Sequence, residues 1–132
     1  MPITFEVDED RQRVLVTATD EFRIEDMVAL VTELANRHCL AFAQRFDARG
    51  AAMLVHADEM RRLVPLMARL RDEHGQARTA FVADTDLSFG MARMYATLAA
   101  DVDTGFMVYR TIEDGDAWLG WQPVPSEQQR VF

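Results

Sequence analysis

The sequence predicts a single α/β domain built on a mostly parallel sheet. Three observations point there. Short runs of β-branched and aromatic residues alternate with longer stretches of helical apolar spacing. The first two such runs lie close enough to form an antiparallel hairpin. The 132-residue chain is of single-domain length and shows neither an internal repeat nor a low-complexity linker. The order that results is β-β-α-β-α-β-α-β-α over residues 1–122, with an extended tail over 123–132. Strands alternating with helices imply crossover connections and helices packed on the sheet.

The opening hairpin is read from Thr4–Glu6 and Arg13–Thr17, separated by the acidic turn Asp8-Glu9-Asp10. From Ile24, apolar residues recur at helical spacing (Met27, Val28, Val31, Leu34, Ala35) up to His38, with Glu25, Asp26 and Glu33 opposite. Leu40–Phe46 reads as the third strand and ends at Asp47-Ala48-Arg49-Gly50, a turn-rich exit. Met60, Leu63, Val64, Met67 and Leu70 mark a second helix that Gly75 ends in a left-handed cap, with Pro65 kinking it or opening its regular part. Thr79–Ala83 has the unbroken apolar character of a buried parallel strand. A third helix begins under Asp86 and carries Leu87, Met91, Met94, Tyr95 and Leu98 on one side, placed in the core. Phe106–Tyr109 is the fifth strand, and Thr111 with Asp114 caps a last helix holding Trp118 and Leu119. Pro123 and Pro125 then prevent a helix.

Composition excludes several functions. Charged residues make up 27% and apolar residues 49%, a folded rather than disordered balance, and no apolar run approaches the ~18 residues that span a bilayer. The N-terminal segment turns acidic by Glu6 and lacks the features of a signal peptide, which leads us to expect a cytoplasmic protein. A net charge of −8 opposes binding to nucleic acid, whose affinity comes largely from phosphate neutralisation by cations. All basic residues are arginine, so no lysine can form a Schiff base, hold pyridoxal phosphate or bind phosphates in a nucleotide loop. The single cysteine, Cys39, cannot form an internal disulfide and reads as a buried thiol.

Candidate chemistry is sparse. Asp86-Leu87-Ser88-Phe89-Gly90 sits between a strand and a helix, the setting of a hydrolase nucleophile elbow, but the first glycine is missing and no histidine follows His74. Ser88 therefore reads as a helix-start residue whose hydroxyl satisfies a free backbone N–H. His38, His56 and His74 do not reproduce a metal-ligand spacing, and no cofactor is implied. The pairs Asp84/Asp86 and Asp101/Asp103 read as turn and cap residues. Trp118, Trp121, Val131 and Phe132 exceed what a short helix and a proline-broken tail bury locally, which points to a homodimer interface or to a tail folded over its own sheet.

The strand–helix order, the segment Asp84-Thr85-Asp86-Leu87-Ser88-Phe89-Gly90-Met91-Ala92-Arg93-Met94-Tyr95, and Val108-Tyr109-Arg110 followed by Asp116-Ala117-Trp118-Leu119 together resemble the bacterial SpoIIAA-like family, related to STAS domains. The resemblance covers nearly the whole chain. It implies a STAS-like fold, also likened to the lipid-binding CRAL-TRIO (Sec14-like) domain, in a family that is mostly uncharacterised. In the anti-sigma antagonists a phosphorylatable serine opens the helix after the third strand; here that stretch is Val55-His56-Ala57-Asp58, which offers no hydroxyl, so no phospho-switch carries over. The expected function is non-enzymatic binding of a protein partner, through Asp47, Arg49, His56, Ser88, Gly90 and Arg93. The alternatives are a carrier of a small apolar ligand or lipid, suggested also by eight methionines and eight phenylalanines, and an enzyme using Asp47, His56 or Ser88 in an unrecognised arrangement.

Overall fold

A computed structural model describes residues 2–121. Its elements, in chain order, are β1 (Ile3–Asp8), β2 (Arg13–Ala18), β3 (Glu21–Arg23), α1 (Ile24–Asn36), β4 (Ala43–Asp47), β5 (Ala52–Leu54), α2 (Ala57–His74), β6 (Thr79–Val82), α3 (Asp86–Leu98), β7 (Phe106–Tyr109) and α4 (Ile112–Leu119). β1 and β2 form the antiparallel hairpin, with Asp8 Oδ1 accepting the Arg11 N–H across the turn at 3.0 Å. β4, β6 and β7 add in parallel, giving the sheet order β1-β2-β4-β6-β7. The mostly parallel sheet, its N-terminal hairpin and the helices packed on it are those the sequence predicts.

Strand alternation sends Val14, Val16, Phe46, Phe81 and Phe106 to one face, where α1, α2 and α3 close the main core. In-register pairing of Phe46 with Phe81 stacks their rings 4.6 Å apart, and Phe22, Phe106 and Tyr95 extend the aromatic row. The opposite face carries Leu15, Ala43, Ala80 and Tyr109, covered by α4 and Trp121. Gly115 lets α4 settle there: a Cβ at this position would stand 3.2 Å from Val82 Cγ2 and 3.4 Å from Ala80 Cβ. Arg45 Nη1 holds both Asp116 carboxylate oxygens, at 3.0 and 2.9 Å, and fixes the helix to β4.

Several elements differ from the sequence reading. The third strand starts at Ala43, because a turn from Cys39 to Phe42 takes Leu40 into the core first. β3 and β5 are too short to register as strands, yet they pair with each other as a second small parallel sheet. They continue β2 and β4 beyond kinks at Asp20 (φ 57°) and Gly50 (φ 75°). α2 runs unbroken through Pro65, whose ring lies on the solvent side. It ends at Gly75 with φ 99° and ψ 165°, open to glycine but not a left-handed helical cap. Thr85, not Asp86, caps α3, its hydroxyl accepting the Ser88 N–H at 3.2 Å.

The largest difference is the rotation of α3. Ser88, Ala92 and Ala99 join Tyr95 in facing the core, Met91 and Leu98 pack at its edge, and Leu87 and Met94, also expected there, are 64% and 39% exposed. Asp103 also departs from its reading as a turn residue. It is buried, accepts Arg71 Nε at 3.2 Å and Tyr95 Oη at 2.8 Å, and anchors the loop before β7. Arg71 Nη1 further donates to the Leu40 carbonyl at 2.8 Å, so one guanidinium ties α2 to the segment entering β4.

Candidate functional site

The connections leaving β6 and β7 diverge: α3 packs on the main-core face and α4 on the opposite face. The region beyond the carboxyl ends of neighbouring parallel strands is the usual place for a site in such sheets. Arg110, directly after β7, links the two connections there. Its Nη1 lies 2.9 Å from Asp86 Oδ1 at the start of α3, and its guanidinium stands 4.0 Å from the centre of the Phe89 ring. Arg93 approaches the same ring at 5.9 Å.

The exit loop of β4 continues this rim. Arg49 returns over Asp47 with Nε–Oδ1 at 2.9 Å and Nη2–Oδ2 at 3.0 Å, and its backbone N–H also donates to Oδ1. Partial burial pushes the Asp47 carboxyl up, but the hydrogen bonds and charge of Arg49, with Arg45 behind, outweigh it and hold the group below its ordinary value. Gly50 N–H donates to Asp84 Oδ1 at 3.0 Å, joining the loops after β4 and β6. The positive φ of Gly50 suits glycine, and no atom crowds its Cβ position.

Beside these loops α3 presents Leu87, Gly90 and Met94 outward, with Met91 half-buried at the margin. A Cβ on Gly90 would meet nothing within 4 Å, so the helix surface is open at this point. The outer surface of α3 thus carries Leu87 and Met94 on one side of Gly90, and Phe89 and Arg93, with Arg110 over the Phe89 ring, on the other.

Of the residues singled out in the sequence, Asp47 and Arg49 are brought together as an ion pair, and Gly90 and Arg93 lie on the outer part of α3. His56 is exposed at the start of α2, where its N–H donates to Glu59 Oε1 at 2.9 Å. Ser88 is buried; its hydroxyl donates to the Ala51 carbonyl and accepts the Met53 N–H, tying α3 to β5. The N–H it satisfies thus belongs to a strand and not to its own helix. Trp121 is 8% exposed against its own sheet, with the Arg13 guanidinium 4.6 Å from its ring centre, and Trp118 lies under Arg78. Val131, Phe132 and the tail 123–132 lie outside the described residues.

The sequence reading missed Arg110, Asp86 and Phe89 as a group. Their signal was positional: each sits immediately beyond the end of a parallel strand or in the first turn after it. Among the described residues no helix is long and apolar enough to cross a membrane, and no three His, Cys, Asp or Glu side chains are placed to hold a metal. The fold defines an α/β domain with sequentially ordered parallel strands, three helices on one face and one on the other. No family model, curated protein or solved structure matches the chain.

Proposed function

We propose that this chain is a non-enzymatic binding module of the SpoIIAA-like, STAS type, and that it recognises a protein partner with the outer face of α3 and the adjoining strand-exit loops. The observation that carries the reading is the outward placement of Leu87 and Met94 on a helix whose other outer flank holds Phe89 under Arg93 and Arg110. Exposed apolar side chains bordered by arginine and an aromatic ring suit a docking surface, because apolar contact supplies affinity and the ionic border supplies orientation. The neighbouring hydroxyl of Ser88 is buried and bonded to backbone, and Asp47 is paired with Arg49. These groups serve structure and surface charge in this reading. The net charge of −8 favours a partner of net positive charge, with acidic groups where it meets Arg93 and Arg110. A second copy of the chain is one candidate partner, and the lone buried Cys39 fits a reducing, cytoplasmic setting.

A second reading, a carrier of a small apolar ligand, draws on a cavity in the main core. At about 40 Å³ this cavity is far below the ~300–1,000 Å³ typical of ligand pockets, so a lipid would require the helices to part. Native mass spectrometry on protein purified without refolding separates the two. The protein-binding reading expects a retained protein, either another copy or a different chain, and no small-molecule mass. A small-molecule excess that disappears on denaturation would favour the carrier instead.

A further inference from the structure

We propose that the main core binds a small uncharged hydrogen-bonding molecule, either a cluster of about three waters or an alcohol of similar size. The inference is independent of the protein-binding face. It rests on where the buried polar groups lie. Among the described residues five polar or charged side chains are buried, and four of them (Gln44, Arg71, Thr79 and Asp103) line one cavity. Tyr95, which donates to Asp103, lines it too. The remaining wall is apolar, with Met27, Met53 and Met67 among its members.

The geometry explains why the polar groups converge. Gln44 and Thr79 are in-register neighbours on β4 and β6 and both face the core. α2 brings Arg71 over them, and the loop before β7 brings Asp103. Thr79 is 4% exposed, and its Oγ1 has no hydrogen-bond partner among the protein atoms described. A hydroxyl left unpaired in an apolar core costs free energy, and buried polar atoms are rarely left in that condition.

Size and charge then define the ligand. A water needs about 10–15 Å³ of cavity measured by its own centre, so a cavity of about 40 Å³ takes about three. Arg71 and Asp103 pair at 3.2 Å and neutralise each other. A charged ligand would therefore be buried without a counter-charge, whereas a neutral donor–acceptor can bond to Thr79 and its polar neighbours. The thioether walls can yield slightly around an added methyl or methylene.

Nuclear magnetic resonance on the intact chain provides the test. Long-lived water-to-protein Overhauser contacts to the Thr79 and Gln44 side chains are expected if water occupies the site, and saturable shifts of the same resonances on ethanol titration if an alcohol enters it. Thr79→Val keeps the shape and removes the hydroxyl, so it should lower the denaturation midpoint and weaken whichever signal is seen. The inference is overturned if neither water contacts nor ethanol shifts appear on the unsubstituted chain; xenon shifts of the Met27, Met53 and Met67 methyls, or a raised midpoint in Thr79→Val, would then mark the cavity as dry. The measurements on the unsubstituted chain decide the matter even if the variant folds poorly.

Discussion

Arg110 and Asp86 face each other across the ends of β7 and α3, Nη1 to Oδ1 at 2.9 Å, so one ion pair bridges the place where the chain's connections part to opposite faces of the sheet. The pair is solvated: Asp86 is almost wholly exposed and Arg110 nearly half so. Such a pair orients its surroundings more than it stabilises them. Arg110→Gln is therefore expected to leave the denaturant midpoint essentially unchanged while weakening capture of the partner. A large fall in the midpoint would assign Arg110 to the fold and not to recognition.

The buried pair Arg71–Asp103 should behave in the opposite way. Arg71→Met leaves the Asp103 carboxylate without its cation, which costs about 3–5 kcal/mol by analogy with other broken buried pairs. Tyr95→Phe removes one hydrogen bond to that carboxylate, worth about 1.5–3 kcal/mol. Chemical denaturation of both variants checks the ranking.

Tyr95 also carries a pH signature. Burial, and then the adjacent Asp103 carboxylate, push its phenol far above the ordinary value against the opposing Arg71 charge. A raised folded value means that the contribution is present below the unfolded phenol's pKa and is lost as pH rises. Spectrophotometric titration should show the Tyr95 phenolate only together with alkaline unfolding. Tyr95→Phe should lack that step.

Asp47 has the reverse sign. Its folded value is depressed, so the Arg49 pair contributes above the ordinary carboxylate range and is lost as pH falls through the lowered folded value. Asp47→Asn should cost no more than about 1 kcal/mol at neutral pH, since Arg49 is half exposed, and the difference should close in acid. Denaturation curves across that range measure it.

Gly105 meets a steric limit. A Cβ there would fall 2.0 Å from the Ala77 carbonyl oxygen, and the contact is with backbone, which cannot rotate away. Gly105→Ala should cost about 3 kcal/mol or more, read from thermal and denaturant melts.

Much of the fold was legible because its signals are local. Thr111 opens α4, Phe106–Tyr109 is β7, and the opening hairpin is present, although β1 extends over Ile3–Asp8 and takes in Asp8 from the expected turn. The face of α3 was not legible. Leu87-Met91-Met94-Leu98 and Ser88-Ala92-Tyr95-Ala99 have identical helical spacing, and hydrophobicity favours the first set. The structure centres the buried face on the second, of which only Tyr95 was expected: Ser88, Ala92 and Ala99 permit close approach to the strands, and the serine bonds to β5. Asp103 escaped notice for a related reason, since its partners Arg71 and Tyr95 are brought to it only by the tertiary fold. The candidate site was half legible: Asp47 and Arg49 announce themselves two residues apart, whereas Arg110 meets Asp86 and Phe89 only once β6 and β7 lie side by side.

The same rotation of α3 supplies the central claim, that its outer face is where a protein docks. Site-specific photo-crosslinking in the native host, with the probe placed in turn at Leu87, at Met94 and at the exposed α1 position Thr32, tests it most directly. The account predicts one discrete adduct shared by positions 87 and 94 and absent from 32, lost when Arg93 or Arg110 is replaced. Adducts of equal yield at all three positions, or none at 87 and 94, would contradict it.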